Sequence, residues 1–176
     1  MFDLKRLFNR QTGLVGCVVE FHLPIGYVYG LCTHDLNKEG QILKMFKSIY
    51  SSSMVFDEAI LGDDLRMHAR FPLKYAMSEP DIKVIGKARL SKQDQVMPKF
   101  RSLGLAKKGE MPKGWWIIDG DSETWVTSLN REMSFYSEDG FPSLPILNEY
   151  YAKDLYPFSK ELMQKGPLNF SPDRMN

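Results

Sequence analysis

The sequence is short of the groups that most chemistry needs. It has three histidines and two cysteines in 176 residues. Two cysteines are too few for a disulfide scaffold. No apolar run approaches the roughly 18 residues that cross a bilayer. The opening "MFDLKRLFNRQTG" scatters charges and has no apolar h-region, so it does not read as a secretory signal, and a cytosolic chain is expected. There is no G-x-x-x-x-G-K-[ST] and no G-x-G-x-x-G, which leaves a nucleotide cradle unsupported. No internal repeat and no low-complexity tract appears. Net charge is only +1, which by itself implies no polyanionic partner.

What is present is a globular composition, 43% hydrophobic and 26% charged. The length suits one domain over 1–176, with a β-rich part over 13–129 and a helical C-terminal extension over 130–176. "LVGCVVEFHL" and "YVYGLCTH" flank the turn "PIG" and read as a hairpin. "QILKMFKSIY" reads as a third strand. "MVFDEAILGDD" is ambiguous and holds room for a helical turn. Leu65, Met67, Ala69 and Phe71 alternate with Arg66, His68 and Arg70, the period of a half-buried strand. "DIKVIG" is a short strand. Residues 87–113, lysine-rich and broken by Pro98, Gly104, Gly109 and Pro112, read as a long loop. Near the end, Ser143 is a plausible N-cap with Pro145 in the first turn. Leu144, Leu147, Tyr151 and Leu155 form a helical stripe, and "PFSKELMQKG" reads as a second, shorter helix stopped by Gly166. Strands first and helices last give α+β: a mainly antiparallel, strongly twisted sheet or partly open barrel of about six to eight strands, with C-terminal helices packed on it.

Candidate chemistry is sparse. Cys17, His22, Cys32, His34 and Asp35 have the spacing C-x4-H and C-x-H-D, which fails the paired-ligand patterns of zinc sites. Cys17 and His22 also differ in strand parity, so no metal and no cofactor is expected. Cys32 and His34 share a strand face by simple alternation, but nothing beside them resembles a nucleophile elbow. His68 stands alone, and no catalytic residue is assigned. Cys17 falls opposite Cys32 if the loop spans Leu23 to Gly26, and reduced thiols are the expectation in a cytosolic chain. Charge is segregated. Residues 83–113 carry nine cations against two acids, and 114–154 carry eight acids against two cations. The basic segment 83–113, with Phe100 among its cations, suggests nucleic acid as an alternative partner. The acidic run Asp57, Glu58, Asp63 and Asp64 reads first as a solvated loop.

"GWWIIDGDSETWV" holds all three tryptophans around one acidic turn. Asp119-Gly120 is a hairpin signal. A two-residue loop pairs Ile118 with Asp121; a four-residue loop pairs Ile118 with Glu123 and Trp116 with Trp125. Either register puts Trp115 and Ile117 on one face and Trp116, Ile118, Glu123 and Trp125 on the other. Both faces are apolar. Either the hairpin is buried on both sides, or an aromatic pair stands at the surface beside Asp119, Asp121 and Glu123.

Three patches together resemble a known family. "VGCVVEFHLPIGYVYGLCTHD", with Tyr27-Val28-Tyr29-Gly30, is similar to the opening of the bacterial immunity protein 26 family. "KVIGKARLSKQDQVMPKF", with Ile85-Gly86 and Pro98-Lys99-Phe100, resembles that family's Ile-Gly element and Pro-x-Phe. "WWIIDGDSETWVTSL" resembles its Trp strand and Asp-Gly turn. The resemblance covers about Gly13 to Leu129, and Cys17 departs from it, standing where the family usually has Asp. It implies a bacterial, cytoplasmic immunity protein from a polymorphic toxin system such as contact-dependent growth inhibition. Such a protein binds and blocks a cognate toxin domain, often a nuclease, one to one, without chemistry of its own. Toxin-binding candidates under that implication are Asp57, Glu58, Asp63, Asp64, Asp119, Asp121 and Glu123, with Trp116 and Trp125.

Overall fold

The computed structural model describes residues 13–174. The charged opening read above as a non-secretory start lies largely outside them. Among the described residues no helix is long and apolar enough to cross a membrane. The architecture is α+β, mostly antiparallel. Among the described residues nine strands form two sheets, where the sequence pattern suggests one sheet or barrel of about six to eight.

The first sheet has five strands in the order β4-β3-β2-β1-β5, all antiparallel: β1 Cys17–Leu23, β2 Gly26–Asp35, β3 Gln41–Phe46, β4 Leu65–Phe71 and β5 Ile82–Lys87. Its strands are apolar on both faces, so both must be covered. Cys17, Val19, Phe21, Cys32, Leu43, Met45, Met67, Ala69 and Phe71 point to one face. There they meet the helix α2, Leu144–Ala152, through Leu147 and Tyr151 of the expected stripe. The Tyr151 hydroxyl donates to the Phe46 carbonyl, and the Ile25 amide donates to Asn148 Oδ1. The other face presents Val18, Tyr29, Leu31 and Phe46 to Met54, Phe56 and Ile60 of the connection before β4. That connection holds a 3-10 turn over Glu58–Gly62, started by Asp57, whose carboxylate accepts from the Ala59 amide. Buried Glu20 on this face accepts from the Tyr29 and Ser53 hydroxyls at 2.8 and 2.7 Å, so its charge is solvated by the fold.

A bulge between Cys32 and His34 breaks the alternation: Cys32 pairs with Leu43 but His34 with Ile42. The two side chains therefore lie on opposite faces, which removes the Cys–His pair that simple alternation puts on one face. Val18 pairs with Leu31 and His22 with Tyr27, so Cys17 falls opposite Cys32, and both thiols are free. Burial pushes both thiols up, Cys32 to about 12, which keeps them protonated and unreactive.

After the one-turn helix α1 (Leu73–Ala76), β5 leads into the basic segment. The second sheet follows, in the order β8-β7-β6-β9: β6 Phe100–Leu103, β7 Trp115–Asp119, β8 Ser122–Val126 and β9 Ser137–Glu138. β6 lies inside the stretch read from sequence as loop, and its parallel partner β9 lies in the C-terminal third. A last one-turn helix, α3, covers Lys160–Met163.

Two buried arginines tie the parts together. Arg66 of β4 lies between the rings of Tyr151 and Tyr156, 4.6 and 4.4 Å away. It donates to the Leu155 carbonyl and to Asp154 Oδ1, both at 2.8 Å. Arg101 of β6 is wholly buried. It donates to the carbonyls of Ser134, Tyr136 and Pro157 at 2.6, 2.8 and 2.6 Å, and packs on Trp115. Fixed carbonyls take the place of water around a charge that would otherwise be costly to bury.

Candidate functional site: the tryptophan hairpin

β7 and β8 form the hairpin expected from Asp119-Gly120. The observed register pairs Ile118 with Glu123 and Trp116 with Trp125, and closes at Asp119 and Ser122. The central residues are thus Gly120 and Asp121. Gly120 has φ +59°, and Asp121 is outside the left-handed region. Glycine in the first central position is the type II′ pattern.

The tryptophans divide. Trp115 is 1% exposed and packs with Ile117, Leu129, Leu168 and Phe170. Its indole Nε1 donates to the Pro167 carbonyl at 2.9 Å, which satisfies the one polar atom of a buried indole. The opposite face is split along its length. At the turn end, Ile118 and Phe100 pack against Ile42 of the first sheet. At the far end, Trp116 and Trp125 are each 40% exposed, their rings edge to face at 5.1 Å. The C-terminal helices do not cover them. Gly104 and Gly114 are packed so closely under Trp125 that a Cβ on either would come within 2.5 to 2.7 Å of its ring. The indole is therefore held flat on backbone. Leu105, next to Gly104, is fully exposed.

Asp119, Asp121 and Glu123 are all exposed. Glu123, paired with Ile118, shares the face of Trp116 and Trp125, whereas Asp119 has the parity of Trp115 and Asp121 lies in the turn. Asp119 meets Lys99 at 3.0 Å. The other acidic candidates lie elsewhere. Lys47, just past β3, donates its amide to the Asp64 carbonyl, and Ser48 donates to Asp63 Oδ2 at 2.8 Å. The hairpin tip packs near Ile42 at the start of β3. The strand from Ile42 to Phe46 separates the two groups by roughly 13 Å of rise. Asp57 and Asp63 are engaged as acceptors for local backbone amides, Glu58 is exposed, and Asp64 lies at the rim of a groove with Lys47 and Phe158. The structure thus puts Glu123 on one face with Trp116 and Trp125, places Asp119 and Asp121 at the turn end of the same hairpin, and leaves Asp57, Glu58, Asp63 and Asp64 elsewhere.

The basic segment loses its two most distinctive members to the core. Phe100 is buried and Arg101 is enclosed by carbonyls. Lys83, Lys87, Arg89, Lys92, Lys107, Lys108 and Lys113 remain exposed. No group of three or more His, Cys, Asp or Glu suited to a metal forms among the described residues. His22 stacks on Tyr27 and faces Asp81 at 3.3 Å. Both ring nitrogens of His34 have contacts, Nδ1 with Thr33 Oγ1 at 2.9 Å and Nε2 with the Gln95 carbonyl at 3.2 Å. His68 is pushed down to about 4, first by burial and then by Lys44 and His34, so it is neutral near pH 7.

A cavity of about 170 Å³ lies where β4, β9, α2 and α3 meet, lined in part by Glu138, Asp139 and Tyr150. Its carboxylates are already engaged. Glu138 accepts from the Tyr150 hydroxyl at 2.8 Å and faces Lys165, and Asp139 faces Arg70 Nε at 2.7 Å. The exposed tryptophan pair, unlike the carboxylates of this cavity, has no polar or ionic partner among the described residues. Strand parity shows that one tryptophan differs from the other two, but only the placement of the C-terminal segment decides which face stays open. Compared with family models, with curated proteins and with solved structures, the chain matches none.

Proposed function

We propose that this protein is a bacterial, cytoplasmic immunity protein that neutralises a cognate toxin domain by binding it, without chemistry of its own. The observation that carries the reading is the Trp116–Trp125 pair, exposed, packed against the backbone of Gly104 and Gly114, and sharing its face of the hairpin with the Glu123 carboxylate. Tryptophan is a favoured interface anchor, because it brings a large contact area with little rotamer entropy to lose. Acidic neighbours steer a cationic surface, such as a nuclease groove, toward it. The likeness of Gly13 to Leu129 to the immunity protein 26 family supports the same reading.

Co-expression with the toxin domain encoded beside it tests this. Growth is restored and a one-to-one complex is recovered if the reading holds. Persistent growth arrest with no complex rules it out.

A further inference from the structure

We propose that the toxin is held by strand addition: an extended, cationic segment of it pairs with the outer edge of β8 and carries the second sheet from four strands to five. The inference rests on the toxin-binding reading for the source of that strand. Its starting point is the hydrogen-bond parity of the second sheet. The Gly104 amide donates to the Gly114 carbonyl at 3.0 Å, in line with the pairs Ser102–Trp116 and Phe100–Ile118. Trp116 and Ile118 therefore spend their backbone groups on β6. The alternate residues Trp115, Ile117 and Asp119 spend theirs on Val126, Thr124 and Ser122 of β8. That leaves the N–H and C=O groups of Glu123 and Trp125 pointing away from the sheet.

The other edges differ. β4 lies against β9, and the His68 amide donates to Ser137 Oγ at 2.9 Å, so these two edges occupy each other. β5 carries exposed Lys83 and Lys87, the charges that discourage edge pairing. β8 has no lysine, no proline and no bulge, and four of its five residues are exposed. Its one charge is the Glu123 carboxylate, which repels another acidic edge but admits a cationic strand.

Side chains on β8 set the chemistry of the occupant. A strand added here places alternate residues beside Glu123 and Trp125, on the face that also holds Trp116. A cation beside Glu123 meets its carboxylate, while the Trp125 indole reaches inward over Gly114 and Gly104 and leaves the outer edge open. The intervening residues fall beside Thr124 and Val126, which suits β-branched side chains. From Asp119 to Leu129 the chain carries three acids and no cation. A second copy would bring the same sign of charge to the edge, so the complementary strand belongs to a different, cationic protein. Main-chain pairing supplies the affinity in this mode and the alternating side chains supply the selection.

A blocked nine-residue peptide alternating arginine and valine is the direct probe. Titrated into the full chain, it should change the tryptophan fluorescence saturably. It should also slow hydrogen exchange at the amides of Glu123 and Trp125. Glu123→Pro removes an outward N–H that β7 does not use, a position where an edge strand tolerates proline. It should abolish peptide binding and weaken rescue of toxin-arrested cells at least tenfold. Glu123→Gln keeps the N–H and should weaken peptide binding only a few-fold; its retained binding also controls for folding. Unchanged exchange at Glu123 and Trp125, or full binding by Glu123→Pro, overturns strand addition. So does protection of the same amides by concentration-dependent self-association. If rescue by the native chain persists through such a result, toxin neutralisation stands and only the docking mode falls. If the native chain fails to rescue at all, the functional reading falls with it.

Discussion

The two sheets use similar residues and end in different states. The first is covered on both faces, by α2 on one and by the connection through Ile60 on the other. The second is covered on the Trp115 face by Leu129, Leu168 and Phe170, but its opposite face is covered only where Ile118 reaches Ile42. Trp115 and Trp116 are neighbours in sequence with the same side chain, yet one is core and the other surface. Exposure here follows from what is laid over a face rather than from the strand beneath it. A chain of this length has a limited number of segments to use as covers, and the tryptophan pair sits where they run out.

That contrast can be broken from either side. The largest effect is expected at Arg101, which joins the second sheet to the C-terminal segment. Arg101→Ala takes a charged donor from the Tyr136 and Pro157 carbonyls and opens a void beside Trp115. A loss of about 4 kcal/mol is expected, read by urea denaturation. A loss below about 1 kcal/mol would show that Arg101 does not hold the seam. Leu147→Ala strips the helix cover from the first sheet and should cost about 3 kcal/mol in the same assay. The pH dependence comes next. His68 is neutral in the folded chain down to about pH 4 but gains a proton near 6.5 when unfolded. Stability should therefore fall as pH drops from about 6.5 to about 4, by at most about 1.4 kcal/mol per unit. His68→Gln should flatten that window. The smallest stability effect belongs to the open face: Trp116→Ala should cost at most about 1 kcal/mol while reducing toxin affinity at least tenfold. A thermal shift as large as that of Leu147→Ala would make Trp116 a core residue after all.

Much of the plan was legible in periodicity. The hairpin of β1 and β2, the alternation Met67, Ala69, Phe71 and the register option pairing Trp116 with Trp125 appear as read, whereas Leu65 at the head of that alternation is exposed and the helical stripe Leu144, Leu147, Tyr151 stops before Leu155, because α2 ends at Ala152. The errors have local causes. Thr33 sits in a bulge, and one extra residue reverses the face of His34. Arg66 alternates as a solvent residue but is buried, because two tyrosines and a helix end from the C-terminal third enclose it. Phe100 and Arg101 lie among lysines, prolines and glycines, and four residues are too few to show a period. The burial of Arg66, Phe100 and Arg101 depends on contacts made far along the chain, which windowed reading does not see. Of the hairpin, the shared face of Trp116, Glu123 and Trp125 was legible in its period of two, whereas its distance from Asp63 and Asp64 required the topology.

The two buried arginines also set an order of events during synthesis. Arg66 finds Leu155 only 89 residues later, and Arg101 finds Pro157 56 residues later. Until those carbonyls emerge from the ribosome, both guanidinium groups must stay hydrated, and the strands that carry them cannot close. The burial of Arg66 and Arg101 therefore waits for the last third of the chain. At roughly 5 to 20 residues per second, the wait from Arg66 to Leu155 is about 4 to 18 seconds. Folding is thus expected to be late and concerted rather than progressive from the N-terminus, with nascent chains that stop short of Pro157 remaining open to proteolysis.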